Sequence, residues 1–424
     1  MAETRNLTHA PNRKPGTLIT AVSLLAIAFL TLRPTEQVPT VPVFCLACGP
    51  LGGVDLVLNV ILFVPLGIGL LWRTGSARAV FVIGLVIPIA IELLQFRVIS
   101  GRDASLGDVV ANFVGTALGA WIATHLSSWW RLVERPAARA GIRYSLFASA
   151  TLLYLALLLQ PGRSFDPYAV QWARVLHYTD AFTGTLNWAV LNSKSLKPAQ
   201  LLRPIISSDS ELTRLTASIG VSGPIRPTRR RAEILRIGNQ QSEAMLLGQR
   251  DSTILFRAFT RAERLRLRSP LIALPLATPV RGSANGEETG ELVISARSTP
   301  RAIELSAAGR GVDVGVSVPR TIGLTWSLFA PWEVALEPRW WPANAAWLAL
   351  IVLPASFLTT RARRGAHVGY AGSAAILIIL VSFAVIPLAT GMSQTTPLEW
   401  GGVFAGIVAG IWLARLPLAS AAHA

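Results

Sequence analysis

The sequence predicts a multi-pass α-helical membrane protein of about eight spans with an inserted extracytoplasmic all-β sandwich domain. Three observations predict it. First, 52% of the 424 residues are hydrophobic and only 15% are charged, whereas soluble domains carry about a quarter charged residues. Second, eight apolar runs approach the ~20 residues that cross a bilayer as a helix. Third, residues 161–342 are polar, rich in β-branched side chains and broken at intervals by Gly, Pro, Ser and Asn, as short strands between turns are. The net charge of +16 resolves into basic residues at the ends of the apolar runs, the pattern of cytoplasmic membrane loops. No nucleic-acid recognition module accompanies it, which argues against that partner.

The elements follow in order. Arg5, Arg13 and Lys14 mark a basic leader, and Leu18–Leu32 is the first apolar run. A positive flank before an apolar core has the look of a signal peptide. Thr31-Leu32-Arg33-Pro34 lacks a small-residue cleavage pattern, so the run is read as an uncleaved first span. A Pro-rich loop, Pro34–Gly53, carries the two cysteines of the chain, Cys45 and Cys48. Two readings stay open for them: a structural disulfide, which persists outside the cell, or two free thiols in a short loop. With no second ligand pair, no metal site is expected.

Span two runs from about Asp55 to Trp72, and Arg73 and Arg78 flank the turn into span three, about Ala79 to Phe96. A polar hairpin, Arg97–Gly107, leads to span four, about Asp108 to His125. The most basic loop, Trp129–Arg143, precedes span five, Tyr144–Gln160. After the external segment come span six, about Ala343 to Leu358, then Arg361, Arg363 and Arg364, span seven, about Gly369 to Ala389, and span eight, about Leu398 to Leu413. Placing the basic loops in the cytoplasm puts both termini there too. The Cys loop, the Arg97–Gly107 hairpin and residues 161–342 then lie on the extracytoplasmic side of a bacterial inner membrane. The expected organisation is a five-span module over residues 1–160, the sandwich over 161–342, and a three-span module over 343–424.

Alternation marks strands within Leu212–Ile219, Glu233–Ile237, Ala244–Leu247, Thr253–Phe259, Glu291–Ser295 and Ala302–Ser306. About 180 residues suffice for such a domain to bury its own core.

The candidate functional residues gather where spans two, three and four meet. Glu92 and Gln95 are three apart and share a helix face. Asp108, Asn112, Gly115 and Gly119 share another, and Asp55 and Asn59 lie four apart at the outer end of span two. The hairpin adds Arg102 and Asp103. Eight acids lie outside residues 161–342: Glu3, Glu36, Asp55, Glu92, Asp103, Asp108, Glu134 and Glu399. Four of the eight belong to this one set, and an ionisable group within a span is a functional candidate by default. The plainer reading is that the polar groups lock helices together and that Asp108 caps span four. Gly115 and Gly119 let another helix approach, and Pro65 and Gly67 loosen span two.

These residues carry a resemblance. Asp55-x-x-x-Asn59-x-x-x-x-x-Pro65-x-Gly67, Glu92-x-x-Gln95, and Gly101-Arg102-x-x-x-x-x-Asp108-x-x-x-Asn112-x-x-Gly115 resemble the VanZ-like family over roughly Thr17 to Leu126. The resemblance implies a polytopic protein of the bacterial envelope; the founding member is linked to low-level resistance to the glycopeptide teicoplanin. This chain adds the external domain and three further spans. The strand pattern from Leu215 to Phe259 is similar to laminin-G and concanavalin-like sandwiches, which implies carbohydrate binding.

The function these observations favour is non-enzymatic. An outer-face polar pocket would take a lipid headgroup or a cell-wall precursor, with Arg102 as the anion contact, and the external domain would touch a glycan. Alternatives are a membrane-embedded enzyme using Glu92 as a base, a transporter of lipid-linked precursors, or a structural scaffold. No Ser-His-Asp set, HExxH or phosphate loop supports catalysis, and no cofactor is expected. Membrane lipids are the expected partners, with an envelope glycan or lipid-linked precursor as the specific one.

Overall fold

The computed structural model describes residues 13–33, 46–47, 49, 51–99, 105–162, 168–176, 179–197, 204–206, 213–238, 243–276, 290–363 and 369–416. Arg102, Asp103, Cys45 and Cys48 lie outside the described residues. The chain divides into two compact units, Met1–Leu132 and Val133–Ala424.

The first unit holds α1 (Arg13–Thr31), α2 (Gly52–Thr74), α3 (Ala77–Arg97) and α4 (Leu106–Trp130). Each contains a stretch long and apolar enough to cross a membrane. The turn between α2 and α3 is set by two residues. Gly75 adopts the left-handed conformation at φ 65° and closes α2 through its N–H to the Leu71 carbonyl. Ser76 then caps α3 by accepting from the Ala79 N–H at 3.3 Å. Within α1 the hydroxyls of Thr20 and Ser23 donate back to the Gly16 and Ile19 carbonyls, both at 2.7 Å. This satisfies them without a partner outside the helix. Ile27, Phe63, Leu66, Leu70 and Ile91 form the apolar core of the unit.

The tightest packing in this unit is between α2 and α4. A Cβ at Gly115 would overlap the Val60 carbonyl, one at Gly119 the Val64 carbonyl, and one at Gly67 the Thr116 carbonyl. The two backbones therefore meet with glycines contributed from both sides, a contact that no larger residue permits. Pro65 lies inside α2 without ending it.

The second unit begins with α5 (Glu134–Leu159). An all-β domain follows: β1 (Tyr168–Trp172), β2 (Thr185–Leu191), β3 (Lys194–Leu196), β4 (Pro204–Ile206), β5 (Leu215–Ser222), β6 (Thr228–Gly238), β7 (Glu243–Asp251), β8 (Thr253–Ala258), β9 (Leu271–Pro275), β10 (Leu292–Ser298), β11 (Ala302–Gly309) and β12 (Val312–Pro319). A 3-10 helical segment, Ile322–Phe329, leads to α6 (Trp341–Ala362), α7 (Gly369–Thr390) and α8 (Pro397–Arg415). The strands form two six-stranded sheets in the orders β4-β1-β6-β7-β8-β9 and β12-β11-β10-β5-β2-β3. Every described pairing between them is antiparallel. In the second sheet Leu215, Ala217, Ile219 and Val221 alternate inward with Leu292, Ile294 and Ala296 beside them, all buried. Period-two burial of this kind gives a sheet one apolar face.

The helices and the β domain of this unit are tied by backbone and arginine contacts. Arg261 N–H donates to the Gln160 carbonyl at 3.0 Å. The fully buried Arg320 donates to the Leu159 carbonyl and to the Ser298 hydroxyl, both at 2.9 Å. Burial pushes the Arg320 guanidinium down to about 9, so it stays charged at neutral pH. In the helical part, Gly402, Gly406 and Gly410 of α8 face the carbonyls of Ala345, Ala349 and Leu353 on α6.

One expectation is revised. The basic stretch expected as a loop over Trp129–Arg143 is largely helix, because α5 starts at Glu134 and carries Arg135, Arg139 and Arg143 in its first turns. Arginine and alanine are good helix formers, and Pro136 is tolerated in a first turn. The two compact units divide after Leu132, which places α5 in the second. α5 packs on α6 and α7, with the Tyr144 hydroxyl donating to the Ile351 carbonyl at 2.8 Å and the Ser382 hydroxyl to Ser149 at 2.7 Å.

The glycine contacts make a direct prediction. Gly119→Ala should lower the unfolding temperature of the detergent-solubilised protein, at a cost of about 1–3 kcal/mol for forced overpacking. Gly401→Ala, where a Cβ meets nothing within 4 Å, should leave it unchanged or raise it. Scanning fluorimetry of the two variants checks this, and equal effects would refute it.

Candidate functional site

Asn59, Glu92 and Asp108, three of the polar residues singled out in the sequence, meet with Ser105 around the start of α4. A helix start leaves its first four N–H groups without intrahelical partners, and in an apolar bundle each must find an acceptor. Ser105 supplies one, accepting from the Asp108 N–H at 3.0 Å. In an ordinary capping box the acid three residues into the helix would return to the N–H of the capping residue. Here that N–H is taken by another helix. Ser105 N–H donates to Glu92 Oε2 on α3 at 2.8 Å. Asp108 instead accepts from the Asn59 amide of α2 at 2.7 Å. The two carboxylates thus meet the positive end of the α4 dipole, where negative charge is favoured.

Gln95, one turn beyond Glu92 on the same face of α3, closes a different helix end. Its amide donates to the Thr31 carbonyl at the last residue of α1, at 2.9 Å. Glu92 and Gln95 are both buried, at 8% and 7% exposure. Asn112, one turn into α4 from Asp108, is 2% exposed, and its side-chain carbonyl Oδ1 has no hydrogen-bond partner among the described residues. Thr116 donates to the Asn112 backbone carbonyl at 3.0 Å. Asp55 is exposed in the first turn of α2, one turn before Asn59. The geometry brings together Asn59 with Asp108, Glu92 with the cap of α4, and Gln95 with the end of α1. Arg102 and Asp103 of the connecting hairpin fall outside the described residues.

Two participants were not among the sequence candidates. Ser105 is a helix cap legible from Ser105-x-x-Asp108, yet its N–H partner lies on α3. Glu399 anchors a second polar network, in the other unit. It is 1% exposed and completes a capping box with Thr396, accepting the Thr396 N–H at 2.8 Å. It also accepts from the Asn344 amide at 3.1 Å and from the Thr321 hydroxyl. Trp326 donates to Asn344 Oδ1 at 2.7 Å. The signal was Thr396-Pro-Leu-Glu399, a capping box with proline at the first helical position. This network joins the 3-10 segment to α6 and α8. Among the described residues no group of three His, Cys, Asp or Glu side chains could hold a metal ion.

These features define a class: a multi-pass helical membrane protein with an all-β domain inserted between its fifth and sixth apolar helices, and a four-helix N-terminal unit whose polar side chains close its own helix ends. Residues 6–130 match the family described as VanZ-LLP1, VanZ/LLP1, so the N-terminal module is VanZ-like. The match spans α1–α4 and ends before α5. No curated protein and no solved structure matches this chain.

The Asn59–Asp108 bond links α2 to α4 directly. Asn59→Ala and Asp108→Ala should each destabilise the protein, and the double variant should lose less than the sum. A coupling of about 0.6–2 kcal/mol is expected for a polar contact between membrane helices. Additive losses in a thermal double-mutant cycle would contradict it.

Proposed function

We propose that the protein is a non-enzymatic component of the bacterial inner membrane whose VanZ-like module receives a lipid headgroup or a lipid-linked cell-wall precursor at its extracytoplasmic end. The observation that carries this reading is the buried Asn112 side-chain carbonyl, which has no partner among the described residues, one turn from the Asp108 carboxylate. Leaving a buried polar atom unpaired costs about 1–3 kcal/mol. A ligand that donates hydrogen bonds, such as an ammonium or a sugar hydroxyl, removes that cost. Arg102, close in sequence to Ser105, supplies the contact to the phosphate that such ligands carry. The orientation rests on the arginines of the α2–α3 turn and of the start of α5, and on Arg361 and Arg363, all assigned to the cytoplasm. The β domain then faces outward, where its proposed role is contact with an envelope glycan.

A second reading is supported by a specific observation. Glu92, Gln95 and Asp108 already serve helix ends, as a purely structural scaffold would need. The two readings separate in lipid nanodiscs. Asn112→Leu should weaken retention of phosphatidylethanolamine in native mass spectrometry by about tenfold, the loss expected for one hydrogen bond to a charged group. Its unfolding temperature should hold or rise. Unchanged retention would leave the scaffold reading standing.

A further inference from the structure

We propose that the outer face of the β12-β11-β10-β5-β2-β3 sheet carries a binding site for an uncharged glycan, built on Trp188, Asn187 and Glu291. This rests on the proposed glycan contact of the β domain and gives it residues. Four observations converge on the place.

The first is a bulge. In the β2–β5 pairing Leu186 is opposite Val221 and Trp188 opposite Gly220, so Asn187 is an extra residue. Val221 is buried and faces inward. Trp188 therefore faces outward, and the bulge projects Asn187 from the same strand, exposed, beside it. Bulges re-aim side chains in this way and recur beside binding sites.

The second is a seat. Gly220 has no Cβ, and one built there would overlap Nε1 and Cε2 of the Trp188 indole. The half-buried indole thus lies directly on the sheet backbone. The same absent Cβ leaves room for Glu291 Oε1, so indole and carboxylate meet over one glycine.

The third is a fixed polar chain. The Ser222 hydroxyl donates to Asn187 Oδ1 at 2.8 Å, and the Asn187 amide donates to Glu291 Oε1 at 2.7 Å. Both Asn187 and Glu291 remain exposed.

The fourth is a clamp. Arg310 donates to the carbonyls of Gly290 at 2.9 Å, Gly223 at 2.8 Å and Val221 at 3.1 Å. These carbonyls flank Glu291 and Ser222, so the backbone carrying the polar chain is held in place before any ligand arrives. Such preorganisation lowers the entropic cost of binding.

An aromatic ring beside a fixed amide and carboxylate matches a sugar ring. The apolar C–H face of the sugar packs on the indole, while its hydroxyls meet Asn187 and Glu291. A planar aromatic with a polar handle suits a ligand of that mixed character. Glu291 disfavours polyanionic polymers at this spot, which selects neutral hexose or N-acetylhexosamine chains.

The test uses the full-length protein in nanodiscs, titrated calorimetrically with maltohexaose and with hexa-N-acetylchitohexaose. Binding of either probe is expected. Trp188→Ala should weaken it at least tenfold, Asn187→Ala severalfold, and Trp188→Phe should recover part of the loss. Trp332→Ala, an exposed tryptophan elsewhere in the unit, should not alter it. If the wild type binds and Trp188→Ala binds equally well, this face is wrong while the glycan reading of the domain survives. If the wild type binds neither probe, the glycan reading itself falls, and this site with it. A loss of binding by Trp188→Ala together with loss of the β-sheet circular dichroism signal would be resolved by Asn187→Ala, which leaves the sheet core intact. Full affinity in Asn187→Ala then overturns the assignment.

Discussion

The start of α4 is the constraint on which the N-terminal unit depends. A helix that begins within an apolar bundle exposes N–H groups that neither water nor its own carbonyls can satisfy. The unit meets this with side chains from two neighbouring helices and one preceding residue. Ser105 caps from within, Glu92 reaches from α3 to the N–H of that cap, and Asn59 engages the displaced Asp108. Each contact fixes a helix relative to α4. The polar residues therefore specify the arrangement, which apolar packing alone leaves loosely determined. Gln95 extends the principle to the end of α1, so a single face of α3 closes two helix termini.

Close approach is the counterpart of this polar end. The contacts of Gly67, Gly115 and Gly119 with facing carbonyls bring the α2 and α4 backbones near enough for the short side chains of Asn59 and Asp108 to meet at 2.7 Å. The glycine contacts and the polar pair thus join the same two helices. In the other unit, Gly402, Gly406 and Gly410 give α8 a similar approach to α6, and Glu399 occupies the corresponding polar end. The two units reach the same solution with unrelated sequences.

Much of this architecture was legible in the sequence, for identifiable reasons. The eight apolar helices declare themselves by length and composition, which the bilayer enforces directly. Strands such as Leu215–Ser222 and Ala302–Gly309 declare themselves by alternation. Val312–Pro319 alternates as clearly and was not singled out, while Lys194–Leu196 is too short to carry any period. Side-chain partnerships were not legible. Asn59 and Asp108 are 49 residues apart, and nothing local distinguishes an aspartate that caps its own helix from one that receives another helix. Thr396-Pro-Leu-Glu399 shows its capping box in the sequence, yet Asn344 and Thr321 come to Glu399 from 55 and 78 residues away. The sequence shows which groups need partners, and the fold assigns them.

That distinction separates the polar residues of this helix end that have partners within the chain from Asn112, one of several buried groups among the described residues with an unpaired polar atom. Glu399 is consumed by its own cap and by two donors, so its burial is accounted for within the chain. Glu92 and Gln95 serve helix ends and are accounted for in the same way. Asn112 differs. Its backbone carbonyl has a partner in Thr116, but its side-chain oxygen, at 2% residue exposure, has none among the described residues. Leucine at that position would have the same number of side-chain heavy atoms and no unpaired polar atom. An asparagine there costs stability unless a donor beyond the described residues meets its oxygen. The atom sits one turn from the Asp108 carboxylate, so the unmet need for a donor lies at the polar end of the VanZ-like module, where the proposed ligand would enter.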